Sequence, residues 1–498
     1  VQDTLPATIA AIDLGSNSFH LILARTTDEG FNVIDREREM VRLAEGLDAD
    51  RNLSPEVQAR ALDCLQRFGQ LIRELPPGAV RIVGTNTLRS AHNSTAFLRR
   101  ATKELGHPVE IVSGIEEARL IYLGVAQSIA DQGQQRLVVD IGGGSTELII
   151  GKGFQPRLME SLYMGCVSFS RRFFPDGKIT RKRIKRAGLA ALSELETVET
   201  RYRKAGWDSV IGASGTIRAI GKIVALMTEN HAGIRASDLE TLTELIIDAG
   251  HIDNVKIKGL SRERAPVFPG GLVVLKSVFD SLAIEVMSVA DGALREGLLY
   301  DLLGRIHHED ARTRSVDALM VRYTVDTDQV ARVETTAFEL FDQIKQAWDL
   351  EQHDSQALLS WASGLHEIGM AIAHNQYHKH GAYIISNADL PGFSKQQQVE
   401  LGLLVRAHRR KFPVAEFDKV NEELRQLLTR LAVLLRIAVV LHRGRRTDPL
   451  PEIALSVEAN NLRLGFADNW LEKHALTAAD LEQEAAYLKA VGYTLEFA

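Results

Sequence analysis

Cysteine is nearly absent from this chain: Cys64 and Cys166 are the only two in 498 residues. They lie far apart in sequence, which leaves no disulfide framework and no thiolate metal site, and fits a reducing compartment. Long apolar runs are lacking as well. The most apolar helix candidate, Leu431–Leu441, is interrupted by Arg436. It is also well short of the roughly 20 residues that cross a bilayer. The first ten residues, VQDTLPATIA, have no charged start followed by an apolar stretch, so the expectation is a cytoplasmic chain with no transmembrane segment. Nor does charge of one sign dominate. A net charge of -6 argues against a general nucleic-acid binder, while leaving room for local basic patches. At 45% hydrophobic and 25% charged the composition is that of a folded protein, long enough for roughly two to four domains.

What the sequence does have is an internal repeat. Ala11 to Ala24 reads AIDLGSNSFHLILA, and Val138 to Gly151 reads VVDIGGGSTELIIG. Without a gap, Asp13 meets Asp140, Gly15 meets Gly142, Ser18 meets Ser145, and His20 stands where the other copy has Glu147. Each copy has the form of a hairpin with a Gly/Ser/Asn tip. Further strand-like runs, Val80–Thr85 and Val109–Gly114, alternate with helical stretches at Pro55–Leu75 and Ser94–Leu105. In the second half Ser209–Thr216, SVIGASGT, again enters a Gly/Ser turn. Alternating strands and helices predict α/β lobes, with ligands at the carboxyl ends of strands.

Such loops suit phosphate. Glycines let the backbone approach an anion, and free amides with Ser or Thr hydroxyls donate to phosphoryl oxygens. The first loop offers Asp13, Gly15, Ser16, Asn17 and Ser18; the second Gly142, Gly143, Gly144, Ser145 and Thr146; the third turn Ser214, Gly215 and Thr216. The aspartate before each of the first two turns suits Mg²⁺, or water between Mg²⁺ and phosphate. Asp140 and Glu147, on opposite arms of the second hairpin, could converge on one metal. For a single loop the bland alternative is an ordinary tight hairpin.

Seven blocks in order resemble the exopolyphosphatase / guanosine pentaphosphate phosphohydrolase family, of the acetate kinase–sugar kinase–heat-shock chaperone–actin superfamily. They are AIDLGSNSFHL, GTNTLR (Gly84–Arg89), SGIEEARLIY (Ser113–Tyr122), VVDIGGGSTEL, MGCVSF (Met164–Phe169), GASGT and DGALREG (Asp291–Gly297). The resemblance implies two actin-like (ribonuclease H-like) α/β lobes, residues 1–127 and 128–303, with a cleft between them. It further implies that Glu117 is the catalytic base, that Asp140 and Glu147 serve Mg²⁺, and that Arg89 and Arg264 reach substrate phosphate. A homodimer is expected on the same ground. Spacing alone leaves Glu116 and Glu117 equivalent candidates. Ala118, Ile121, Tyr122 and Val125 form an apolar helix face that excludes Glu117, whose bland reading is a solvated first-turn glutamate. Without the family, Arg89 is a surface guanidinium at a helix cap and Arg264 an interdomain ion pair.

Eight Lys or Arg residues crowd Arg171 to Arg186. They read as a rim guiding a polyanion, or as the solvated start of an amphipathic helix through Tyr202. From about Gly304 the texture turns helical. Leu365–Gly369 (LHEIG), His378, His380 and Arg406–Lys411 (RAHRRK) resemble an HD phosphohydrolase domain, expected over 304–447. Glu367 replaces the aspartate of the His–Asp pair and the helix near Val330–Ile344 offers no histidine, so a degenerate fold is expected. Arg406, Arg409, Arg410, Lys411, Arg443, Arg445 and Arg446 could extend a polyanion track, or be surface charge. A small α+β segment over 448–498 closes the chain.

The leading expectation is an Mg²⁺-dependent exopolyphosphatase releasing orthophosphate from inorganic polyphosphate. The alternative in the same site is conversion of pppGpp to ppGpp. A superfamily kinase using ATP, or a non-catalytic polyphosphate or nucleotide sensor, stands behind these.

Overall fold

A computed structural model of the chain describes residues 6–27, 30–129, 133–228, 233–306, 310–351 and 354–498. The chain divides into two compact units, Val1–Asp310 and Ala311–Ala498. The first unit contains two sheets built to one plan. The strands of the first sheet are β1 (Thr8–Leu14), β2 (Phe19–Thr27), β3 (Gly30–Glu39), β4 (Val80–Gly84) and β5 (Glu110–Ile111). Their order is β3-β2-β1-β4-β5, an antiparallel meander extended by parallel strands. The second sheet has β6 (Gln135–Ile141), β7 (Thr146–Lys152), β8 (Gln155–Leu162), β9 (Ser209–Gly212), β10 (Ile234–Arg235) and β11 (Val286–Val289). It runs β10-β11-β9-β6-β7-β8, again a meander continued by parallel strands, β9 and β11, with the short β10 antiparallel at the edge.

Register makes the duplication concrete. Asp13 pairs with His20 across the first hairpin, and Asp140 pairs with Glu147 across the second. The central strands are nearly continuous apolar runs, as strands covered on both faces require. Val138, Val139, Leu148 and Ile149 are all 0% exposed. Helices Pro55–Ile72 and Ser94–Leu105 pack through Phe68 and Phe97 against the first sheet. Helices Arg181–Ala205 and Phe268–Leu282 cover the second through Leu195, Tyr202 and Leu275.

Helices Gly114–Ser128 and Leu294–Ile306 share a further core with residues of both sheets. They cross at backbone contact. A Cβ on Gly297 would lie 1.8 Å from the Leu120 carbonyl oxygen, and one on Gly124 would lie 2.0 Å from that of Ala293. Only glycine fits at this crossing.

The second unit is mostly helical, around one core that includes Trp348, Leu359, Phe393, Leu404 and Leu435. Strands β12 (Ile453–Glu458), β13 (Asn461–Phe466) and β14 (Thr494–Phe497) form a small sheet that buries Leu455, Leu464 and Leu495 in the same core. Arg436, which interrupts the apolar run in sequence, is itself 0% exposed. It donates to both carboxylate oxygens of Glu484, at 2.5 and 2.9 Å, and to the Arg410 carbonyl at 2.7 Å. Thus it ties helix Glu422–Leu441 to helix Ala475–Leu488.

Some local expectations change. Val109–Gly114 contributes only two strand residues, because Ser113 caps the next helix. Leu431–Leu441 is not the most membrane-like helix. Ala265–Leu282 is long and apolar enough to span a bilayer, with mean hydropathy 1.3, but 72% of it is buried inside the second sheet's core.

Candidate active site

The two hairpin tips and the turn after β9 face one open cleft with about 1010 Å³ of empty space. Glycine is required where the loops meet. A Cβ on Gly143 would lie 2.9 Å from the Ser16 Cβ, and one on Gly144 2.4 Å from Asn86 Oδ1. The Gly143 carbonyl accepts from the amides of Val167 and Ser168, which fixes the second loop on helix Cys166–Phe173. Asp13, Gly15, Ser16, Asn17, Ser18, Gly142, Gly143, Gly144, Ser145, Ser214, Gly215, Thr216 and Arg264 all line the cleft, together with Glu117 and Asp140. Ser214 accepts from the Ile217 amide at 3.1 Å, capping helix Gly215–Thr228, whose amino end opens on the cleft. Backbone N–H groups at such an end attract anions.

Three candidates sit behind this wall. Thr146 is turned inward, donating to the Met164 carbonyl at 2.5 Å. Glu147 is buried and accepts from Ser161 at 2.8 Å. Arg89 donates to the Val112 carbonyl at 2.7 Å and lies 3.4 Å from Glu117.

The ambiguity between the two glutamates is resolved by burial. The helix starts at Gly114, where the Ser113 hydroxyl accepts from the Glu116 amide at 3.1 Å. Successive residues point about 100° apart around a helix. Glu116 turns into a buried ion network, accepting from Arg119 at 2.7 and 2.9 Å and facing Arg81 at 3.4 Å. Asp301 binds both of those arginines, and Arg305 donates to it at 3.0 Å. Glu117 turns to the cleft. It is 8% exposed, not the solvated first-turn residue that its place off the apolar face suggests.

Negative charge is concentrated here. Loss of water, then the charge of Glu117, hold the Asp13 carboxyl at about 8, although Arg295 pulls it down. The same two causes hold Asp140 at about 7, with Arg218 opposing. Glu117 is raised by burial, against the pull of Arg89. Glu147 is raised well above the usual range by burial, Glu117 and Asp140, eased by hydrogen bonds from Ser145 and Ser161. Asp13 Oδ1 has no hydrogen-bond partner among the described residues. Carboxylates so placed call for a cation. Among the described residues no three His, Cys, Asp or Glu side chains could cage one alone.

The Ppx/GppA phosphatase family pattern matches residues 22–306, and that of Ppx/GppA phosphatase, domain III, matches residues 311–485. The chain is 40% identical to the guanosine-5'-triphosphate,3'-diphosphate pyrophosphatase of Aeromonas hydrophila over 484 residues, 97% of each chain. It is 40% identical to the enzyme of the same name from Pseudoalteromonas translucida, over 98% of this chain and 97% of that one. The chain belongs to the Ppx/GppA phosphatase family. Solved relatives include an exopolyphosphatase from Cytophaga hutchinsonii, 25% identical with TM-score 0.55, covering 59% of this chain and 97% of that one. The Aquifex aeolicus family member is 25% identical with TM-score 0.51, covering 60% and 98%. The first unit thus has the expected actin-like α/β lobes, and the chain is a phosphoanhydride hydrolase of this family.

Sequence reasoning missed several residues of this Ppx/GppA cleft: Arg38, Asn86, Arg218 and Arg295 all line it. Arg295 lies inside the DGALREG block and Arg218 follows the third turn by one helical turn; those were the available signals. His20, noted only as a mismatch to Glu147, also lines it. Its Nε2 is 2.8 Å from Ser18 Oγ, and Arg295 is 3.4 Å from its Nδ1. Burial, then Arg295, Arg38, Arg218 and Arg264, hold this imidazole neutral, down at about 3. Conversely, the basic stretch Arg171–Arg186 contributes no cleft residue. Arg181 pairs with Glu244 at 2.6 Å, Arg183 pairs with Asp176, and Arg171 donates to the Ala44 carbonyl.

In domain III the histidines form a different cluster. His366 donates from Nδ1 to the Ser363 carbonyl at 2.7 Å, and His408 to that of Val405 at 2.6 Å. Their rings are 5.5 Å apart, and Tyr377 lies 5.4 Å from His408. Burial lowers His366, His408 and His378, the last to about 4. Glu367, beside His366, is gripped by Arg445 at 2.6 and 2.7 Å.

Proposed function

We propose that this enzyme removes the terminal phosphate of guanosine 5'-triphosphate 3'-diphosphate (pppGpp), giving ppGpp and orthophosphate. The observation that carries the reading is the cleft itself: opposed Gly/Ser loops, a buried glutamate between them, and an arginine wall. Arg38, Arg218, Arg264 and Arg295 line one cleft, and none of them has a carboxylate within ion-pair distance among the described residues. A branched substrate with phosphates on both ribose arms supplies charge for the wall and for the loops together. The names of the Aeromonas and Pseudoalteromonas relatives support this substrate over the linear polymer favoured by sequence.

Glu117 takes a proton from water as the water oxygen bonds to the terminal phosphorus. The bridging P–O bond breaks, and its electron pair leaves on the nucleotide's β-phosphate oxygen. Loop amides and the Ser18 and Thr216 hydroxyls hold the phosphoryl oxygens, while arginines offset the charge that develops. Arg89 restrains Glu117 rather than meeting substrate directly. Mg²⁺ held by Asp140, with Asp13 and Glu147 behind it, would supply a countercharge for the phosphates and for these carboxylates.

Inorganic polyphosphate is the second reading, favoured by the open cleft and by the Cytophaga relative's name. Phosphate release from pppGpp, long polyphosphate and short polyphosphate, each with and without Mg²⁺, separates the two. The expected result is kcat/KM for pppGpp at least about tenfold above either polymer, a difference of one well-made polar contact. A preference for polyphosphate would overturn the substrate assignment.

A further inference from the structure

The two duplicated hairpins carry the same serine two residues before unlike partners: Ser18 before His20, and Ser145 before Glu147. In the second hairpin the partner is a carboxyl group, and the Ser145 hydroxyl hydrogen-bonds back to it, easing the ionisation that burial opposes. The first hairpin works the other way. A guanidinium has donors and no acceptor. Arg295, 3.4 Å from His20 Nδ1, therefore requires a lone pair on that nitrogen. A neutral imidazole with its lone pair on Nδ1 carries its proton on Nε2. Nε2, 2.8 Å from Ser18 Oγ, then donates to the serine oxygen. Having accepted there, the Ser18 hydroxyl keeps its own proton for a partner in the cleft that it lines.

We propose that Arg295 and His20 form a hydrogen-bond relay that aims the Ser18 hydroxyl at substrate phosphate, making His20 a positioning residue. The groups facing the imidazole are consistent with it. Arg295, Arg38, Arg218 and Arg264 surround the ring, and Asp13 is its partner across the hairpin. Four guanidinium groups disfavour the doubly protonated ring, the form that would push its Nδ1 proton at Arg295. The relay rests on the phosphate-cleft reading, but not on which anhydride is hydrolysed.

A double-mutant cycle tests it. Ser18→Ala and His20→Leu are each expected to lower kcat/KM about tenfold, the scale of one hydrogen bond to a charged group. The double variant should be no worse than about tenfold, because both changes remove one donor. His20→Gln, whose amide can accept from Arg295 and donate to Ser18, should recover to within about threefold. Melting temperature is followed in parallel, and His20→Met replaces the leucine variant if that does not fold. The same cycle on calorimetric binding of inorganic tripolyphosphate keeps the two readings separate. Failure of the parent enzyme to release phosphate from any anhydride overturns the hydrolase reading, while the relay is still decided by binding. Losses that multiply to about a hundredfold, or a glutamine variant as poor as leucine with unchanged melting temperature, overturn the relay.

Discussion

The cleft of the first unit and the histidine cluster of domain III invite comparison, because both gather buried titratable groups held toward their neutral forms. Asp13 and Asp140 are pushed up to about 8 and about 7, and His378 is pushed down to about 4. Both also leave polar atoms without hydrogen-bond partners: Asp13 Oδ1 in one, the Nε2 atoms of His366 and His408 in the other. What separates them is what faces those atoms. The carboxylates face glycine loops, open space and arginines with no carboxylate at ion-pair distance among the described residues. The imidazoles face one another and Tyr377, and Glu367 is already committed to Arg445. Perturbed ionisation marks burial in both places; the first adds an open cleft lined by phosphate-binding loops, which a reaction on an anion needs.

The largest expected effect comes from removing the base. Glu117→Gln should lower kcat by about 10²–10⁴ with KM little changed, measured as orthophosphate release. Near-normal release would remove Glu117 from its role and leave the cleft no more chemical than the histidine cluster.

Next comes the cost of holding carboxylates together. A carboxyl whose folded value is raised stabilises the fold below its ordinary value, and that contribution is lost as pH rises through the raised one. For Asp140 and Asp13 the window closes as pH passes about 7 and about 8. In chelator the stability that Asp140 costs should therefore grow from about pH 5 to about pH 8, read as the melting-temperature difference between the parent and Asp140→Asn at each pH. Asp140→Asn should raise the metal-free melting temperature at the higher pH by roughly 2–4 °C while depressing activity. A melting temperature lowered by this change would mean that Asp140 has a stabilising partner instead.

A smaller effect is expected on the pH profile. Because burial lifts Glu117 above the usual carboxylate range, kcat/KM should rise with pH on a limb displaced to higher pH from that of an ordinary glutamate. Arg89→Met should displace this limb further upward, since Arg89 is the cation that opposes the shift. Movement the other way would contradict the restraining role.

The smallest effect on turnover belongs to domain III. His408→Leu should change phosphate release by less than about twofold, while altering the denaturant midpoint as a core substitution does. A loss of activity on the scale of Glu117→Gln would make the second cluster functional and collapse the contrast.

Much of the cleft is legible in sequence because hairpin tips are local. The gap-free match of Asp13 to Asp140 anticipated equivalent places in two sheets, and the Gly/Ser tips carried their chemistry with them. Glu116 and Glu117 are inseparable by spacing because what distinguishes them, Asp301 and Arg81, is remote in sequence. Arg38, Arg218 and Arg295 come from a strand and two separate helices with no shared pattern, so only tertiary structure assembles them. The basic run at Arg171–Arg186 is likewise read from sequence without its partners: Arg181 meets Glu244, remote in the chain, and Arg183 meets Asp176 nearby.

The network around Glu116 also bears on how the enzyme is made. Arg81, Glu116 and Arg119 are present once the first lobe's chain exists, yet Asp301 arrives 220 residues after Arg81 and 182 after Arg119. Until then two buried arginines share Glu116, with Glu110 at 3.7 Å from Arg81. The helix that carries the base also lacks its glycine-bearing neighbour. The position of Glu117 is thus a property of the finished first unit, held by residues from both of its ends, rather than of the first lobe alone.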